Sequence, residues 1–449
     1  MGVRDSDDLS LAPPPTNPLP EAGGGVSLES FAGLWLRIGC LSFGGPAGQI
    51  ALIHREVVER RGWIDDAAFL RALNFCMLLP GPEAQQLSVW CGWRLRGVRG
   101  GVIAGSLFVL PGALVMALLT AGYLAFGTQP LVMAGFRGIQ AVVVAVVAQA
   151  LWRIARRALH GPRAWALAAA AFAALWLLDA PFPLVVLVAG AVGWAGRSAD
   201  APPPGSKDKA SWRRSALVAA GWALLWGAPV AACAVWLGPG HALTQLGGFF
   251  MRVAAFSFGG AYAALAYVAQ AAVGAQHWMT PAAMLDGLGL AETTPGPLVL
   301  VFQFVGGVAG HGIAGPWASV WTGTVLGMAL VVWVMFVPSF LWVFALAPHL
   351  DRLSARPGPA RALAAITASI VGVMANLALW FALHVLFQRV EARHWGPVRL
   401  WVPSGGVDVA AVILAAAALL LLTRTRLGVP GVLALGTAAG VALQLARTG

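Results

Sequence analysis

Two short motifs, each present twice, carry residue types that could bind an anion inside a membrane. Ser-Phe-Gly-Gly occupies 42–45 and 257–260, and Pro-Gly-Pro occupies 80–82 and 295–297, so both motifs recur 215 residues later. Serine supplies a hydroxyl, and glycine lets a ligand approach the backbone. Both motifs also interrupt helices, and a helix that restarts presents free N–H groups and the positive end of its dipole, which favour an anion. The four breaks are therefore predicted to converge on one central pocket.

Charged side chains lie beside these motifs. Arg37 and Arg252 each precede a motif serine by five residues, and a guanidinium is a planar donor suited to an oxyanion. Glu83 follows the first Pro-Gly-Pro directly, whereas Asp286 and Glu292 precede the second. A carboxylate at membrane depth is costly, so these three are candidates for proton or charge coupling. The alternatives are arginines that extend to the membrane interface and a Glu83 that only neutralises a helix start.

Neutral groups near the breaks complete the candidate site. The candidate substrate-binding residues are Arg37, Ser42, Gly44, Gly45, Gln49, Gln85, Gln86, Arg252, Ser257, Gly259, Gly260, Tyr262, Thr293 and Thr294. The candidate helix-break or gating residues are Pro80, Gly81, Pro82, Pro295, Gly296 and Pro297. The alternative is that Gly-Gly only permits close helix packing and that Pro-Gly-Pro is only a kink. The paired recurrence favours a functional site.

The composition is that of a multi-pass membrane protein. Of 449 residues, 59% are hydrophobic and 10% are charged, and several apolar runs are long enough to cross a hydrocarbon core of about 30 Å. The 29 basic residues outnumber the 18 acidic ones, but they lie in short loops between apolar runs, so nucleic-acid binding is not expected. The four cysteines show no Cys-x-x-Cys spacing and no histidine pair suits a metal, so neither a metal site nor a cofactor is expected.

The elements that position the motifs are duplicated. Residues 33–100 align without a gap on 248–315 with 19 identities in 68 positions, which indicates a repeated membrane unit. No piece within 28–97 is long enough to span a membrane alone, so broken or re-entrant helices are expected there. Longer spans are expected at roughly 100–126, 131–152, 164–179, 182–196, 215–237, 362–387, 407–422 and 428–446.

Basic loops set the predicted orientation. Loops 94–99, 153–163 and 197–214 fall on one face, which the positive-inside rule makes cytoplasmic, together with the N-terminus. The second-copy counterpart of the first loop, Ala309–Ala314, contains no Arg or Lys, so the copies are predicted to have inverted topology. The expected fold is an all-α polytopic membrane protein with two inverted-topology repeats, the architecture of secondary transporters. The predicted division is a disordered cytoplasmic tail at 1–27, repeats at 28–196 and 215–449, and a cytoplasmic linker at 197–214.

With these residues in view, the sequence resembles the chromate ion transporter (CHR) family in its long-chain, two-domain form. In the first half the resemblance rests on Ser42–Gln49, Leu79–Gln86 and Phe108–Gly112. In the second half it rests on Ser257–Tyr262 and Asp286–Pro297.

The resemblance implies an inner-membrane protein that exports chromate, confers chromate resistance and meets sulfate as a competitor. It also implies that Arg37, Ser42, Gly44, Gly45, Pro80, Gly81, Pro82 and Glu83 belong to the signature motifs of the family. Uptake or exchange of sulfate or another oxyanion on the same scaffold is the alternative. A membrane-embedded reductase would need a thiol pair or redox cofactor, which the cysteine spacings do not offer. The energy source and the choice between a monomer and a homodimer stay open.

Overall fold

The computed structural model describes residues 27–43, 45–196, 211–258, 261–313, 319–350, 357–396 and 398–448. Residues 1–26 of the predicted tail and 197–210 of the predicted linker lie outside these ranges. The first half contains α1 (Leu28–Leu41), α2 (Gly45–His54), α3 (Asp66–Met77), α4 (Glu83–Phe126), α5 (Pro130–Ala158), α6 (Pro162–Leu178) and α7 (Phe182–Ala195). The second half contains α8 (Trp212–Trp236), α9 (Ala242–Phe256), α10 (Ala261–Gln270), α11 (Pro281–Thr293), α12 (Val301–His311), α13 (Val320–Leu346), α14 (Pro357–Leu386), α15 (Val409–Arg424) and α16 (Val429–Thr448).

The order of the short helices is the same in both halves. A π-helical turn follows α2 at Arg55–Glu59 and another follows α10 at Ala271–Ala275. Each is followed by a helix with a side-chain cap: Asp65 accepts from the Ala68 N–H before α3, and Thr280 accepts from the Ala283 N–H before α11. Such caps satisfy N–H groups that a helix start leaves free. The halves therefore share both the sequence repeat and its local structure.

Six helices among the described residues are long and apolar enough to cross a membrane. They are α4, α5, α8, α13 with its following turn, most of α14, and α16. The chain is thus an all-α polytopic membrane protein, as its composition predicts. The inverted orientation of its halves stays a prediction.

Within the described ranges, one element is not helical. Val390–Trp395 (β1) and Val398–Pro403 (β2) form an antiparallel hairpin in which Trp395 pairs with Val398. The sequence predicts no strand in this region. The basic residues of this region set it apart from the apolar spans on either side. The prediction of an all-α fold did not include the hairpin.

Glycines allow the helices to approach each other closely. A Cβ on Gly306 or Gly310 of α12 would collide with the backbone of Gly327 or Gly323 on α13. A Cβ on Gly138 of α5 would likewise collide with the backbone of α16. Small residues at such contacts let backbones pack directly, which drives helix association in membranes.

Helices α8 and α13 exchange hydrogen bonds at their prolines. Pro229 and Pro338 lie within these helices, and a proline cannot donate to the carbonyl four residues earlier, here Leu225 and Val334. Trp226 of α8 donates its indole N–H to the Val334 carbonyl at 2.8 Å, and Trp333 of α13 donates to the Leu225 carbonyl at 3.1 Å. Each helix thereby satisfies the carbonyl that the proline of the other leaves free.

We expect Trp226→Phe and Trp333→Phe each to lower the stability by about 1–2 kcal/mol, because each leaves a carbonyl without its donor. Thermal unfolding of the purified protein in detergent measures the change. The matched control is Trp236→Phe, since Trp236 is 82% exposed near the end of α8. Equal melting temperatures for the three variants would show that the two indole hydrogen bonds do not stabilise the protein.

Candidate functional site at two crossed loops

Helices end or begin at all four motifs. Helix α1 ends at Leu41 and α2 begins at Gly45, while α9 ends at Phe256 and α10 begins at Ala261. At the Pro-Gly-Pro motifs, α3 ends at Met77 before α4, and α11 ends at Thr293 before a short 3-10 turn, Leu298–Leu300, leads into α12. The breaks predicted from sequence are therefore present in the backbone.

Two backbone hydrogen bonds join these breaks across the halves. The Gly81 N–H donates to the Ser257 carbonyl at 3.0 Å, and the Gly296 N–H donates to the Ser42 carbonyl at 2.8 Å. Adding 215 to Gly81 and Ser42 gives Gly296 and Ser257, so the two bonds occupy equivalent positions. Each Pro-Gly-Pro loop thus pairs with the Ser-Phe-Gly-Gly loop of the opposite half. We call the Gly81–Ser257 pair the first crossing and the Gly296–Ser42 pair the second crossing.

The central glycines adopt a conformation that other residues rarely take. Gly81 has φ of 123° and Gly296 has φ of 94°. This turn directs each N–H toward the opposite loop, and an L-residue at such a φ is strained. Gly45, at the start of α2, also has a positive φ of 72°.

A long helix from the other half of the chain packs against each Pro-Gly-Pro loop. Gly112 of α4 follows Pro111 and packs so closely on the Pro295 carbonyl that a Cβ there would collide with it. Ser339 of α13 follows Pro338, and its hydroxyl lies 3.5 Å from the point where a Cβ on Gly81 would stand. The pairing of opposite halves therefore extends to the spanning helices.

Gln49 belongs to the second crossing alone. Its Nε2 donates to the Gly296 carbonyl at 2.6 Å and to the Ser42 carbonyl at 3.3 Å, and the residue is 1% exposed. The equivalent position in the second half is Ala264, which cannot donate. Ser42 itself donates its hydroxyl to the Ile38 carbonyl at 2.5 Å. Gln49 was predicted as a substrate ligand, but here its amide holds two loops together.

Gln85 and Gln86 belong to the first crossing. Gln86 Nε2 donates to the Pro80 carbonyl at 2.8 Å, and Gln85 Nε2 donates to the Phe336 carbonyl of α13 at 3.3 Å. Both side chains are buried. Glu83 begins α4 beside them and is partly buried.

The hydroxyl groups of Tyr262, Thr293 and Thr294, which were predicted as substrate ligands, donate to groups within the second half. Tyr262 donates its hydroxyl to Glu292 Oε1 at 3.0 Å, so a predicted ligand and a predicted coupling residue form a pair. Thr293 and Thr294 donate their hydroxyls to the carbonyls of Leu290 and Ala291 at 2.7 and 2.9 Å. These three hydroxyls are thus engaged within the second half.

Asp286 is a buried carboxylate with two donors. It is 5% exposed, and it accepts from Tyr123 of α4 at 3.1 Å and from Gln140 of α5 at 2.9 Å. Its position in the repeat corresponds to Arg71, which is exposed. Tyr123 and Gln140 were not anticipated, because nothing in their local sequence indicates a distant carboxylate.

Arg37 and Arg252 are exposed on α1 and α9, so the structure does not enclose them at the crossings. Arg37 lies near Glu56, a carboxylate that is not among the predicted site residues. Glu56 is 3% exposed and contacts Arg60 and Arg61 at 2.6 Å each. Burial alone would raise the pKa of Glu56, but the hydrogen bond from Arg61 and the charges of all three arginines hold it below its usual value.

Gly44, Gly259 and Gly260, which were predicted to line the pocket, lie outside the described residues. Within the described ranges, no group of three His, Cys, Asp or Glu side chains is arranged to hold a metal ion.

We expect Gly81→Ala and Gly296→Ala each to destabilise the protein by about 1–3 kcal/mol, because alanine is strained at these φ values. Thermal unfolding in detergent measures the loss. Gly221→Ala is the matched control, since Gly221 lies within α8 and a Cβ there meets no atom within 4 Å. If the two loop variants have the same melting temperature as this control, the crossings do not require glycine at these positions.

Comparison with known proteins assigns the family. The description "Chromate transporter" matches residues 30–194 and 244–441, which include both crossings. The chain is 32% identical over 357 residues to a chromate transport protein of Pseudomonas aeruginosa, a match that covers 78% of this chain and 80% of that protein. It is 26% identical to a chromate transport protein of Cupriavidus metallidurans over 79% of this chain and 83% of that protein. A probable chromate transport protein of Synechococcus elongatus is also 26% identical, over 83% of this chain and 87% of that protein.

No solved structure matches the chain. The two matched segments cover most of the 449 residues and contain the helix breaks that meet at the crossings. The chain therefore belongs to the chromate transporter family.

Proposed function

We propose that this chain exports chromate across the inner membrane of a bacterial-type cell as a secondary transporter. The observation that carries the proposal is the pair of equivalent hydrogen bonds that joins the helix breaks of one half to those of the other. Broken helices are tolerated at membrane depth only where protein buries them or where they line a cavity. In secondary transporters, substrates bind near the midplane at such breaks between repeats.

The crossings also suggest how access could alternate. Each loop depends on a partner from the opposite half, so a movement of one half against the other must strain or exchange both hydrogen bonds together. The two copies are proposed to lie with inverted topology, which would place one crossing toward each side of the membrane. Alternating access then requires only that one crossing opens while the other stays closed.

The membrane potential supplies a driving force in the export direction. A potential of about 100 mV, negative inside, favours exit of an anion by about 2.3 kcal/mol per charge. Proton coupling through Glu83, Asp286 or Glu292 is not required for export in this scheme. Arg37 and Arg252 are proposed to attract the anion from the two sides, because each lies exposed one turn before a break.

The direct test is chromate movement in inverted membrane vesicles with an imposed potential, positive inside the vesicle, and without ATP. We expect chromate to accumulate inside vesicles that contain the protein, with sulfate as a competitor. Collapse of the potential should abolish accumulation. Accumulation of chromate only in right-side-out vesicles with an interior-negative potential would show uptake instead of export. Accumulation of sulfate without chromate would show that sulfate is the substrate.

In the same vesicles, Arg37→Ala and Arg252→Ala should each lower the chromate transport rate by about tenfold, because each variant removes a positive charge that attracts the anion toward a helix break. The control is Arg424→Ala, an exposed arginine at the end of α15. Equal transport rates for the three variants would show that neither Arg37 nor Arg252 contributes to chromate transport.

A further inference from the structure

A buried carboxylate holds two arginines at the π-helical turn of the first half. Glu56 is 3% exposed, and its two oxygens contact Nη1 of Arg60 and Nη1 of Arg61 at 2.6 Å each. Arg61 also donates to the Glu56 carbonyl at 3.0 Å. The side chains of Arg60 and Arg61 are 52% and 30% exposed. Both guanidinium groups are therefore held in place from the buried side and stay accessible from the other.

Two aromatic rings extend this group to a third arginine. The Arg61 guanidinium lies 5.5 Å from the ring centroid of Trp63, and Trp63 stacks on Phe31 with centroids 6.3 Å apart. Arg96, where α4 is kinked, lies 5.8 Å from the ring centroid of Phe31. A cation over an aromatic face is attracted by the ring quadrupole, which helps to hold it there. Arg60, Arg61 and Arg96 thus belong to one group, which we call the arginine cluster.

The surroundings of the arginine cluster are positively charged. Its three guanidinium groups share one contacting carboxylate, Glu56, and Arg37 adds a further positive charge near that carboxylate. The other carboxylate of the turn, Glu59, contacts His54 at 3.1 Å instead. A guanidinium has five N–H donors, so Arg60 and Arg61 keep donors that Glu56 does not use.

The second half forms the same turn without these charges. Its π-helical turn is Ala271–Ala275. The residues 215 positions after those of the first half carry no permanent charge, namely Ala271 for Glu56, Ala275 for Arg60, Gln276 for Arg61 and His311 for Arg96. The turn therefore does not need the arginine cluster in order to form. A buried ion pair is also weak evidence for stability, because desolvation offsets much of the attraction. The cluster thus calls for a role other than folding.

The position of the cluster relates it to the transport path. Arg96 belongs to loop 94–99, which the positive-inside rule predicts to be cytoplasmic. Arg37, which lies near Glu56, precedes Ser42 of the second crossing by five residues. An anion that arrives from the cytoplasm would therefore meet the cluster before it reaches the crossed loops.

We propose that Arg60, Arg61 and Arg96 form a capture site for tetrahedral oxyanions at the cytoplasmic face. The guanidinium donors that Glu56 leaves available bind the oxygens of the anion, and planar donor groups suit this geometry. Such donors recognise charge and oxygen positions, so the site takes chromate and sulfate alike. This inference rests on the proposed function and identifies where the substrate first binds.

The site changes the concentration dependence of transport and not its direction, which the electrochemical gradient sets. A basic surface raises the local concentration of an anion and its rate of association. Because the second half lacks the cluster, the KM for chromate should be lower at the cytoplasmic face than at the outer face.

The test measures the initial rate of transport against chromate concentration from each face. Inverted vesicles expose the cytoplasmic face to the medium, right-side-out vesicles expose the outer face, and both receive an interior-positive potential. We expect Arg60→Gln and Arg61→Gln each to raise the KM at the cytoplasmic face by about three- to fivefold, as for other partly exposed charge contacts. The maximal rate and the KM at the outer face should not change.

Arg55→Gln is the matched control. Arg55 is an exposed arginine of the same turn, but it is not one of the arginines that contact Glu56. An equal rise of KM in this control would show only a general effect of surface charge and would overturn the capture site. If Arg61→Gln fails to fold, Arg60→Gln decides, since Arg60 contacts Glu56 through its side chain alone and is the more exposed.

The phosphate of an anionic lipid has the same chemistry as a free oxyanion, so a second comparison separates these two ligands. The purified full chain is reconstituted in phosphatidylcholine alone and in phosphatidylcholine with phosphatidylglycerol. We expect Arg60→Gln to raise the KM for chromate in both. A rise that requires phosphatidylglycerol would assign the cluster to lipid headgroups and overturn the inference.

An unchanged KM in the folded Arg60 and Arg61 variants, while the wild type transports chromate, would overturn the inference alone. Failure of the wild type to move chromate in either kind of vesicle would instead overturn the proposed function. The two failures are therefore distinguishable.

Discussion

Two backbone hydrogen bonds between opposite halves are the constraint on which the rest of this structure depends. A break in a membrane helix leaves N–H and C=O groups that lipid cannot satisfy. Here the Gly81 and Gly296 N–H groups donate to the Ser257 and Ser42 carbonyls. Neither half can satisfy these groups alone, so the two halves must fold against each other. The positive φ of both glycines follows from the same requirement.

The crossings share one backbone plan but differ in side chains. Gln49 donates to both loops at the second crossing, where Leu300 packs on Gly296. At the first crossing, Gln86 and Ser339 leave polar atoms unpaired instead. The duplicated backbone plan thus tolerates different side-chain hydrogen bonds at its two crossings.

The sequence predicted the helix breaks and most of the spans because Gly, Pro and long apolar runs act locally, but it assigned no span to Val320–Leu346, which forms α13. It did not predict which loop pairs with which, since both crossings join residues far apart in the chain. Gln49 illustrates this limit: its residue type suggested a ligand, but its amide bonds two carbonyls of the second crossing. The buried Glu56 was missed because the residues around it are mostly charged, and such segments usually lie exposed. The β1–β2 hairpin was missed because its composition resembles that of a loop. The roles of Arg37 and Arg252 remain predictions.

An electron cryomicroscopy map of the protein with chromate tests the central claim most directly, namely that the crossed loops hold the substrate. The account predicts density for one tetrahedral anion at the crossed loops, beside Gly81 or Gly296, with both halves still in contact through these loops. Density at a position remote from both crossings, with the loops unchanged, would contradict it.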